Sequence, residues 1–277
     1  MLFPPAVSRL GGWANRLSHD FTRQVMWQGI KAADNTARQT VLKLPRAPFF
    51  GPYRSRRLRQ DLTLYGFSPA VIPRPADWGG RTHVTGYWFL DPAPGWTPPA
   101  DLVAFLQNGP PPVYVGFGSM GSRKPEETTD MVLQALAETG QRGVLLAGWE
   151  GMRAERLPDS VYLAGPVPHS WLFPKMAAVV HHGGAGTTAA RLMSGVPSVV
   201  VPFFGDQGFW GRKVADLGVR PSPVPRKQLS AERLAAAIQQ AINDEGMRKR
   251  AASIGGQIRA EERAARAAEI IGKTKLQ

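Results

Sequence analysis

Anion-binding chemistry is concentrated in one stretch of the sequence, His181-His182-Gly183-Gly184-Ala185-Gly186-Thr187-Thr188. An apolar segment, residues 177–180, comes before it, and a segment of good helix formers, residues 189–193, comes after it. The order strand, turn, helix places unpaired backbone N–H groups and the positive end of a helix dipole at the turn. The stretch therefore predicts an anion site that suits a diphosphate.

Individual residues of this turn have distinct expected roles. The glycines, Gly184 and Gly186 among them, let the backbone approach the anion closely, and Thr187 adds a hydroxyl donor. His182 stands where the strand gives way to the turn, so its imidazole is expected to reach the same anion. The alternative is that glycine-rich turns are common and that a buried histidine is simply hydrogen-bonded within the protein. The turn alone leaves both interpretations open.

A second loop, Pro202-Phe203-Phe204-Gly205-Asp206-Gln207, follows another apolar, strand-like segment at residues 198–201. In doubly wound sheets, ligands lie outside the carboxyl ends of the strands, so both loops are expected at one edge. Asp206 and Gln207 offer acceptors and amide donors suited to sugar hydroxyls. The alternative for this pair is a helix cap. Together, the two loops indicate a nucleotide sugar.

The elements that position these loops alternate regularly from residue 113 onward. Apolar strands are expected at residues 113–117, 143–147 and 161–163, and a helix with proline at its start is expected at residues 125–139. This alternation predicts an α/β fold with a parallel sheet. Ser119 follows the first strand and is expected at the same edge as the glycine turn, with a helix cap as the alternative.

The two ends of the chain are predicted to be mainly helical. Residues 16–18 and 21–41 read as two helical pieces, and strands are expected at residues 61–67 and 84–88. Near the other end, Ser230 is expected to cap a helix at residues 231–242. A last helical run, residues 245–275, is expected to break at Gly255-Gly256.

Composition excludes several classes of protein. The 277 residues contain no cysteine, which excludes disulfides and thiolate metal sites, and 43% of them are apolar. The first residues lack a basic leader and a long apolar core, and no run of about 18 apolar residues occurs. A cytoplasmic location without a membrane span is the simplest expectation.

The net charge of +13 is uneven along the chain. Residues 1–90 carry 13 Lys or Arg against 4 Asp or Glu, including the cluster Arg54, Arg56, Arg57 and Arg59. Such a cluster meets nucleic acid or anionic lipid, or is simply a solvated face. Because no RNA-binding motif or zinc-finger spacing accompanies it, nucleic acid is not expected, and a membrane surface is the better functional hypothesis.

The sequence resembles a known family at several of these motifs. HHGGAGTTAARLMSGVPSVVVPFFGDQGFWG, residues 181–211, is similar to the donor-binding signature of the family 1 UDP-glycosyltransferases, most closely the sterol glucosyltransferase branch. The likeness extends through VYVGFGSM at residues 113–120 and VPHSWLFPKMAAVVHH at residues 167–182. It also includes FSPAVIPRPADWGGRTHVTGYWFLD at residues 67–91.

This resemblance implies the GT-B fold, in which two Rossmann-like domains face each other. Residues 113–277 are then the UDP-sugar donor domain, residues 91–112 a proline-rich linker, and residues 1–90 a remnant of the acceptor domain. The chain is thus expected to be a fragment that lacks most of its acceptor half, or one completed by a partner polypeptide.

The resemblance also assigns roles to single residues. Ser119 is expected near the donor phosphates, and the backbone of Val167 at the nucleotide base. This chain has Pro166 and His169 where plant members have the tryptophan and glutamine of the base site. It has Ala190 where they have a glutamate that binds the ribose. The expected donor contacts are therefore Ser119, Val167, His182, Gly184, Gly186, Thr187, Asp206 and Gln207.

The implied function is hexose transfer, with glucose as the expected sugar, from a UDP-sugar to a hydroxyl of a lipophilic acceptor such as a sterol. Helix dipole and His182 are expected to neutralise the phosphates, so neither a metal nor a cofactor beyond the UDP-sugar co-substrate is expected. Relatives place their general base early in the first domain, and neither His19 nor His83 matches that context. No catalytic base is therefore assigned. A nucleotide-sugar-binding module without turnover is the alternative.

Overall fold

The computed structural model describes residues 11–51, 61–118, 125–147 and 157–275, with the side chains of Asn15 and Lys275 excepted. The chain forms two compact units. One comprises Met1–Thr63 and Gly79–His83, and the other comprises Leu64–Trp78 and Val84–Gln277. The domain boundaries expected from the sequence, at residues 90 and 112, stay a prediction.

The first unit is dominated by one long helix, α1 (Gly12–Thr40). The indole nitrogen of Trp27 donates to the carbonyl of Phe49 at 3.0 Å, and the side-chain oxygen of Asn35 accepts from the amide of Ala47 at 2.8 Å. These bonds tie the proline-rich segment after α1 back onto the helix. The two predicted helical pieces are one helix, because the polar residues between them lie on its surface, where Asp20 pairs with Arg23 at 3.1 Å.

Two short strands, β1 (Thr63–Tyr65) and β2 (Thr82–Val84), form a separate two-stranded sheet. The predicted strand at residues 84–88 is wrong, since β2 ends where that strand was expected to begin. Gly86 has φ +84°, in the left-handed region that a strand does not use. The segment after β2 therefore leaves the sheet.

The second unit contains the predicted parallel sheet. Its strands are β3 (Val113–Gly116), β4 (Gly143–Leu146), β5 (Val161–Ala164), β6 (Ala178–His181) and β7 (Ser198–Val200). They lie in the order β5-β4-β3-β6-β7, and every neighbouring pair is parallel. The central strands are buried and apolar, as expected of a sheet covered on both faces. The α/β prediction is confirmed.

Helices cover the two faces of this sheet. They are α2 (Ala100–Gln107), α3 (Pro125–Thr139), α4 (His169–Leu172), α5 (Ala185–Ser194), α6 (Gln207–Asp216), α7 (Ala231–Asn243), α8 (Glu245–Ala260) and α9 (Arg263–Lys275). Leu136 of α3 and Ile238 of α7 pack into one core with β3. Leu102 of α2 and Leu172 of α4 pack into a second core on the opposite face. Ser230 caps α7 as predicted, with its hydroxyl accepting from the amide of Arg233.

The predicted break at Gly255-Gly256 is wrong, because α8 continues through both glycines and ends at Ala260. Gly255 is buried against the end of α5. A Cβ at this position would lie 2.7 Å from the Cα of Gly195, which caps α5 with φ +74°. Gly255 therefore permits close packing of α8 on α5 and does not interrupt the helix.

None of the helices in the described ranges combines the length and the apolar character needed to cross a membrane. The longest, α1, carries charged and polar residues throughout its length.

Candidate functional site

Two loops at one edge of the sheet form the candidate site. Strand β6 ends at His181 and leads into α5, and β7 ends at Val200 and leads into α6. The strands are neighbours in parallel register, with His181 opposite Val200. Their carboxyl ends therefore bring the glycine turn, residues 182–187, next to the loop at residues 202–206, as the sequence predicts.

The start of α5 offers unpaired backbone donors. Gly184 is its N-cap residue, and no side chain caps this end. The first helical bond runs from the amide of Thr188 to the carbonyl of Gly184 at 2.9 Å. The amides of Ala185, Gly186 and Thr187 precede this bond, so they have no partner within the helix. Gly186 is exposed, with no atom within 4 Å of a Cβ built on it. An anion can approach this end of the helix from open space.

His182 lies directly at this turn, between two glycines. A Cβ on Gly184 would collide with its Nε2, and a Cβ on Gly118 would lie 3.0 Å from its Cε1. Burial lowers the pKa of His182, and the nearby Asp206 carboxylate partly offsets that shift. The imidazole is therefore neutral at pH 7. Its buried Nδ1 has no hydrogen-bond partner among the described residues.

His181 supports the turn from inside the protein. It is fully buried, and its Nδ1 accepts a hydrogen bond from the amide of Gly183 at 3.1 Å. Burial, reinforced by the charge of Arg191, holds the pKa of His181 well below its usual value. A neutral His181 thus fixes the left-handed conformation of Gly183, whose φ is +87°. The tandem histidines have different roles, since one shapes the turn and the other faces it.

Asp206 is the N-cap residue of α6, but its carboxylate does not cap that helix. Its Oδ2 instead accepts a hydrogen bond from the indole nitrogen of Trp210 at 3.0 Å. The main-chain carbonyl of Asp206 accepts from the amides of Phe209 and Trp210. The side chain is exposed, and its charge acts on His182, so a carboxylate stands close to the glycine turn.

Gln207 is placed differently from Asp206. It is 4% exposed, and its side-chain oxygen accepts from the amides of Phe203 at 2.7 Å and Phe204 at 3.2 Å. This oxygen therefore holds the backbone of the loop in place. The expected contact of Gln207 with a sugar stays a prediction.

A pocket of about 460 Å³ opens beside the glycine turn. One wall is the start of α5 and another is the loop before α4; aromatic rings form most of the rest. We call it the aromatic pocket. Its lining comprises Gly66, Phe67, Tyr87, Trp88, Phe89, Leu90, Pro168, His169, Ser170, Ala185, Gly186, Ala189, Ala190, Met193 and Trp210. Its size and its mix of aromatic walls and backbone donors suit a small-molecule ligand.

The base loop predicted at Val167 runs along this pocket. Val167 is half-buried and packs against the core that contains Leu172. His169 stacks on Phe173 with ring centroids 4.3 Å apart, and burial lowers its pKa, so it faces the pocket as a neutral imidazole. Ala190 lines the same pocket. Ser119 lies outside the described residues.

A larger pocket, of about 700 Å³, lies at the opposite edge of the sheet. Pro111, Ala177 and Pro197 line it, and each comes just before a strand. Ligands of parallel α/β sheets bind at the carboxyl ends of the strands, so the smaller aromatic pocket is the candidate site.

Sequence reasoning missed the aromatic residues that line the pocket, and Trp210 above all. Its only signal was the spacing of four residues from Asp206, which places both side chains on one side of a helix. In the part of the chain that the structure describes, no three His, Asp or Glu side chains stand close enough together to hold a metal ion. The prediction that no metal is required stays a prediction.

Comparison with known proteins assigns the chain to a family. Residues 120–274 match the family described as erythromycin biosynthesis protein CIII-like, C-terminal domain. The chain is 42% identical over 244 residues to a sterol 3-beta-glucosyltransferase of Arabidopsis thaliana. The aligned region covers 87% of this chain and 38% of that relative. The chain thus spans well under half the length of this relative. The predicted resemblance to the sterol branch is confirmed.

Solved structures show the same fold. CalG4, the calicheamicin glycosyltransferase, superposes with a TM-score of 0.64 at 21% identity, covering 90% of this chain and 64% of that one. Arabidopsis thaliana UGT89C1 complexed with UDP gives a TM-score of 0.56 at 19% identity, covering 69% of this chain and 52% of that one. The predicted fold, the donor domain of a GT-B glycosyltransferase, is confirmed.

Proposed function

Because the chain belongs to the family of the erythromycin biosynthesis protein CIII-like C-terminal domain, we propose that it binds a UDP-sugar for glycosyl transfer. The hexose, glucose, goes to a hydroxyl of a lipophilic acceptor such as a sterol. The observation that carries this proposal is the juxtaposition of His182, the open start of α5 and the Asp206 carboxylate at one edge of the sheet. The name of the Arabidopsis relative supports glucose and sterol as the substrates.

The proposed arrangement places the diphosphate on the glycine turn. The amides of Ala185, Gly186 and Thr187, with Nε2 of neutral His182 as a further donor, stabilise its charge. Base and ribose lie in the aromatic pocket between Val167 and α5, and the hexose reaches Asp206. Ser119 and Gln207 complete the proposed set of contacts.

The reaction breaks the bond between the anomeric carbon of the hexose and the UDP oxygen and forms one to the acceptor oxygen. UDP leaves with the electron pair, and its new charge is stabilised on the glycine turn. A general base takes the proton of the acceptor hydroxyl. We propose no residue of this sequence as that base.

A transfer assay tests the proposal. The protein is incubated with UDP-glucose and cholesterol, and sterol glucoside and free UDP are measured by mass spectrometry. We expect both products in equal amounts, and we expect Asp206→Asn to reduce them. If UDP-glucose binds and neither product forms, the alternative of a binding module without turnover is correct.

The diphosphate charge is proposed to be met by helix dipole, amides and His182, so donor binding should need no metal. Calorimetric titration of UDP with and without EDTA tests this. Equal affinity supports the proposal, and a loss of affinity that Mg²⁺ or Mn²⁺ restores contradicts it.

The other partner that we propose is an anionic membrane surface, contacted by α1. Trp13, Leu17, Phe21 and Val25 recur every four residues along this helix, and each is more than half exposed. The first 90 residues carry 13 Lys or Arg against 4 Asp or Glu. An exposed apolar row in a basic segment fits an interfacial helix on anionic lipid. The expected cytoplasmic location stays a prediction.

Sedimentation with vesicles tests this contact. We expect binding to phosphatidylserine-containing vesicles that exceeds binding to pure phosphatidylcholine, and weaker binding for Leu17→Glu with Phe21→Glu. A matched control is Ala33→Glu, which adds charge at an exposed position of α1 that lies about 140° around the helix from the middle of the row. Equal binding by the control and the double variant, or concentration-dependent self-association lost in the double variant, would contradict a lipid role for the row.

A further inference from the structure

Asp206 stands at a helix start without acting as its cap. Two other helices of this chain show the usual arrangement: the hydroxyl of Ser230 accepts from the amide of Arg233 at 3.3 Å, and the carboxylate of Asp244 accepts from the amide of Met247 at 2.8 Å. Asp206 is also the N-cap residue of its helix, yet no backbone amide donates to its side chain. The α6 helix thus forgoes a capping bond that contributes stability elsewhere in this fold.

The backbone of Asp206 is helical, with φ −78° and ψ −9°, whereas those of Ser230 and Asp244 are extended, so the Asp206 carboxylate does not cap α6 and instead meets Trp210. Its indole nitrogen donates to Oδ2 at 3.0 Å from one turn farther along α6. The ring is itself fixed, since it packs edge-on against Phe209 with centroids 5.3 Å apart and lines the aromatic pocket. A hydrogen bond to a charged acceptor from a ring held in this way selects one orientation of the carboxylate.

The second carboxylate oxygen is left for a ligand. Among the described residues, Oδ1 of Asp206 accepts no hydrogen bond, and the side chain is exposed on the loop after β7, the strand that pairs with β6 before the glycine turn. Trp210 therefore connects two parts of the site, because its ring is a wall of the aromatic pocket and its N–H orients the carboxylate.

We infer that Trp210 is a positioning residue for sugar recognition: its indole N–H orients the Asp206 carboxylate for the hexose of a bound UDP-sugar. This inference rests on the proposed function. Since the indole N–H acts only through Asp206, its removal should affect the ligand that carries the hexose and spare UDP.

Calorimetric titration of UDP-glucose and of UDP separately measures this difference. Trp210→Phe keeps an aromatic wall and removes the donor. Replacing Trp210 by 3-benzothienyl-alanine keeps the whole bicyclic ring and removes only the N–H, so it tests the bond even if the phenylalanine variant folds poorly. Trp171→Phe makes the same exchange outside the aromatic pocket and is the matched control.

We expect both Trp210 variants to bind UDP-glucose about tenfold more weakly and to bind UDP within about twofold of the parent protein. In combination with Asp206→Asn, Trp210→Phe should add no further loss, because both changes remove the same contact. Unchanged UDP-glucose affinity, an equal loss for UDP, or additive losses in the double variant would each overturn the inference. Failure of the proposed function is distinguishable, since the parent protein would then bind no uridine nucleotide.

Discussion

The carboxylate of Asp206 accepts a hydrogen bond from the indole nitrogen of Trp210 at 3.0 Å, although Asp206 occupies the N-cap position of its own helix. The sequence admits two interpretations of Asp206, a sugar contact and a helix cap. The structure excludes the capping bond, since no backbone amide donates to this side chain. The Asp206 carboxylate is exposed and bonded to a ring that lines the aromatic pocket, so it is available to a ligand.

Two glycines of the turn should respond differently to the same substitution. Gly184→Ala places a methyl group where Nε2 of His182 lies, whereas a Cβ on Gly186 meets no atom within 4 Å. We expect Gly184→Ala to lower the free energy of unfolding by about 1–3 kcal/mol. We expect Gly186→Ala to leave that free energy unchanged or higher, because alanine is the better helix former by about 1 kcal/mol.

Urea denaturation of the two variants provides the measurement. The same loss of stability in both variants would contradict the claim that the His182 imidazole requires glycine at position 184.

The adjacent glycines of α8 form a second matched pair. A Cβ on Gly255 would lie 2.7 Å from the Cα of Gly195, and Gly256 has open space around it. Gly255→Ala should therefore separate α8 from α5 and destabilise the protein by about 1–3 kcal/mol. Gly256→Ala should stabilise it by up to about 1 kcal/mol. Thermal denaturation of each variant decides the signs, and a destabilising Gly256→Ala would contradict this packing.

The protein should become less stable when the pH falls below the ordinary pKa of histidine. Burial holds the pKa of His181 well below 6.5 and lowers those of His182 and His169. As pH falls through about 6.5, the unfolded chain takes up protons at these positions while the folded protein does not, so the free energy of unfolding decreases. Each group contributes up to about 1.4 kcal/mol per pH unit below that value.

Melting temperatures between pH 7.5 and pH 5 check this expectation. His181→Asn keeps an acceptor for the amide of Gly183 and removes the titrating ring. Its melting temperature should decrease less steeply with acidification than that of the parent protein. An identical pH dependence would mean that His181 does not contribute to it.

Periodicity and turn residues predicted most of the second unit. The parallel sheet followed from apolar runs separated by helix-length segments, and the start of α3 at Pro125 followed from proline and the acidic residues after it. The break expected at Gly255 failed for a tertiary reason. Gly255 must be glycine because it packs against Gly195 at the end of α5. The residue pattern along α8 holds no information about that contact.

The candidate site was predictable in its backbone and less so in its side chains. The glycine turn placed His182 and the start of α5 correctly, because strand, turn and helix are local features. The aromatic pocket was not predicted, since it assembles Phe67, Trp88 and Trp210 from distant parts of the sequence. The sequence did not indicate that the side-chain oxygen of Gln207 holds the loop backbone, and its expected contact with a sugar stays a prediction.

Titration calorimetry with UDP and UDP-glucose tests the proposed site most directly. With the diphosphate on the glycine turn and the hexose at Asp206, His182→Ala should weaken both ligands by about tenfold or more, whereas Asp206→Asn should weaken only UDP-glucose. No binding of either nucleotide to the parent protein, or unchanged affinities in both variants, would contradict the proposed site.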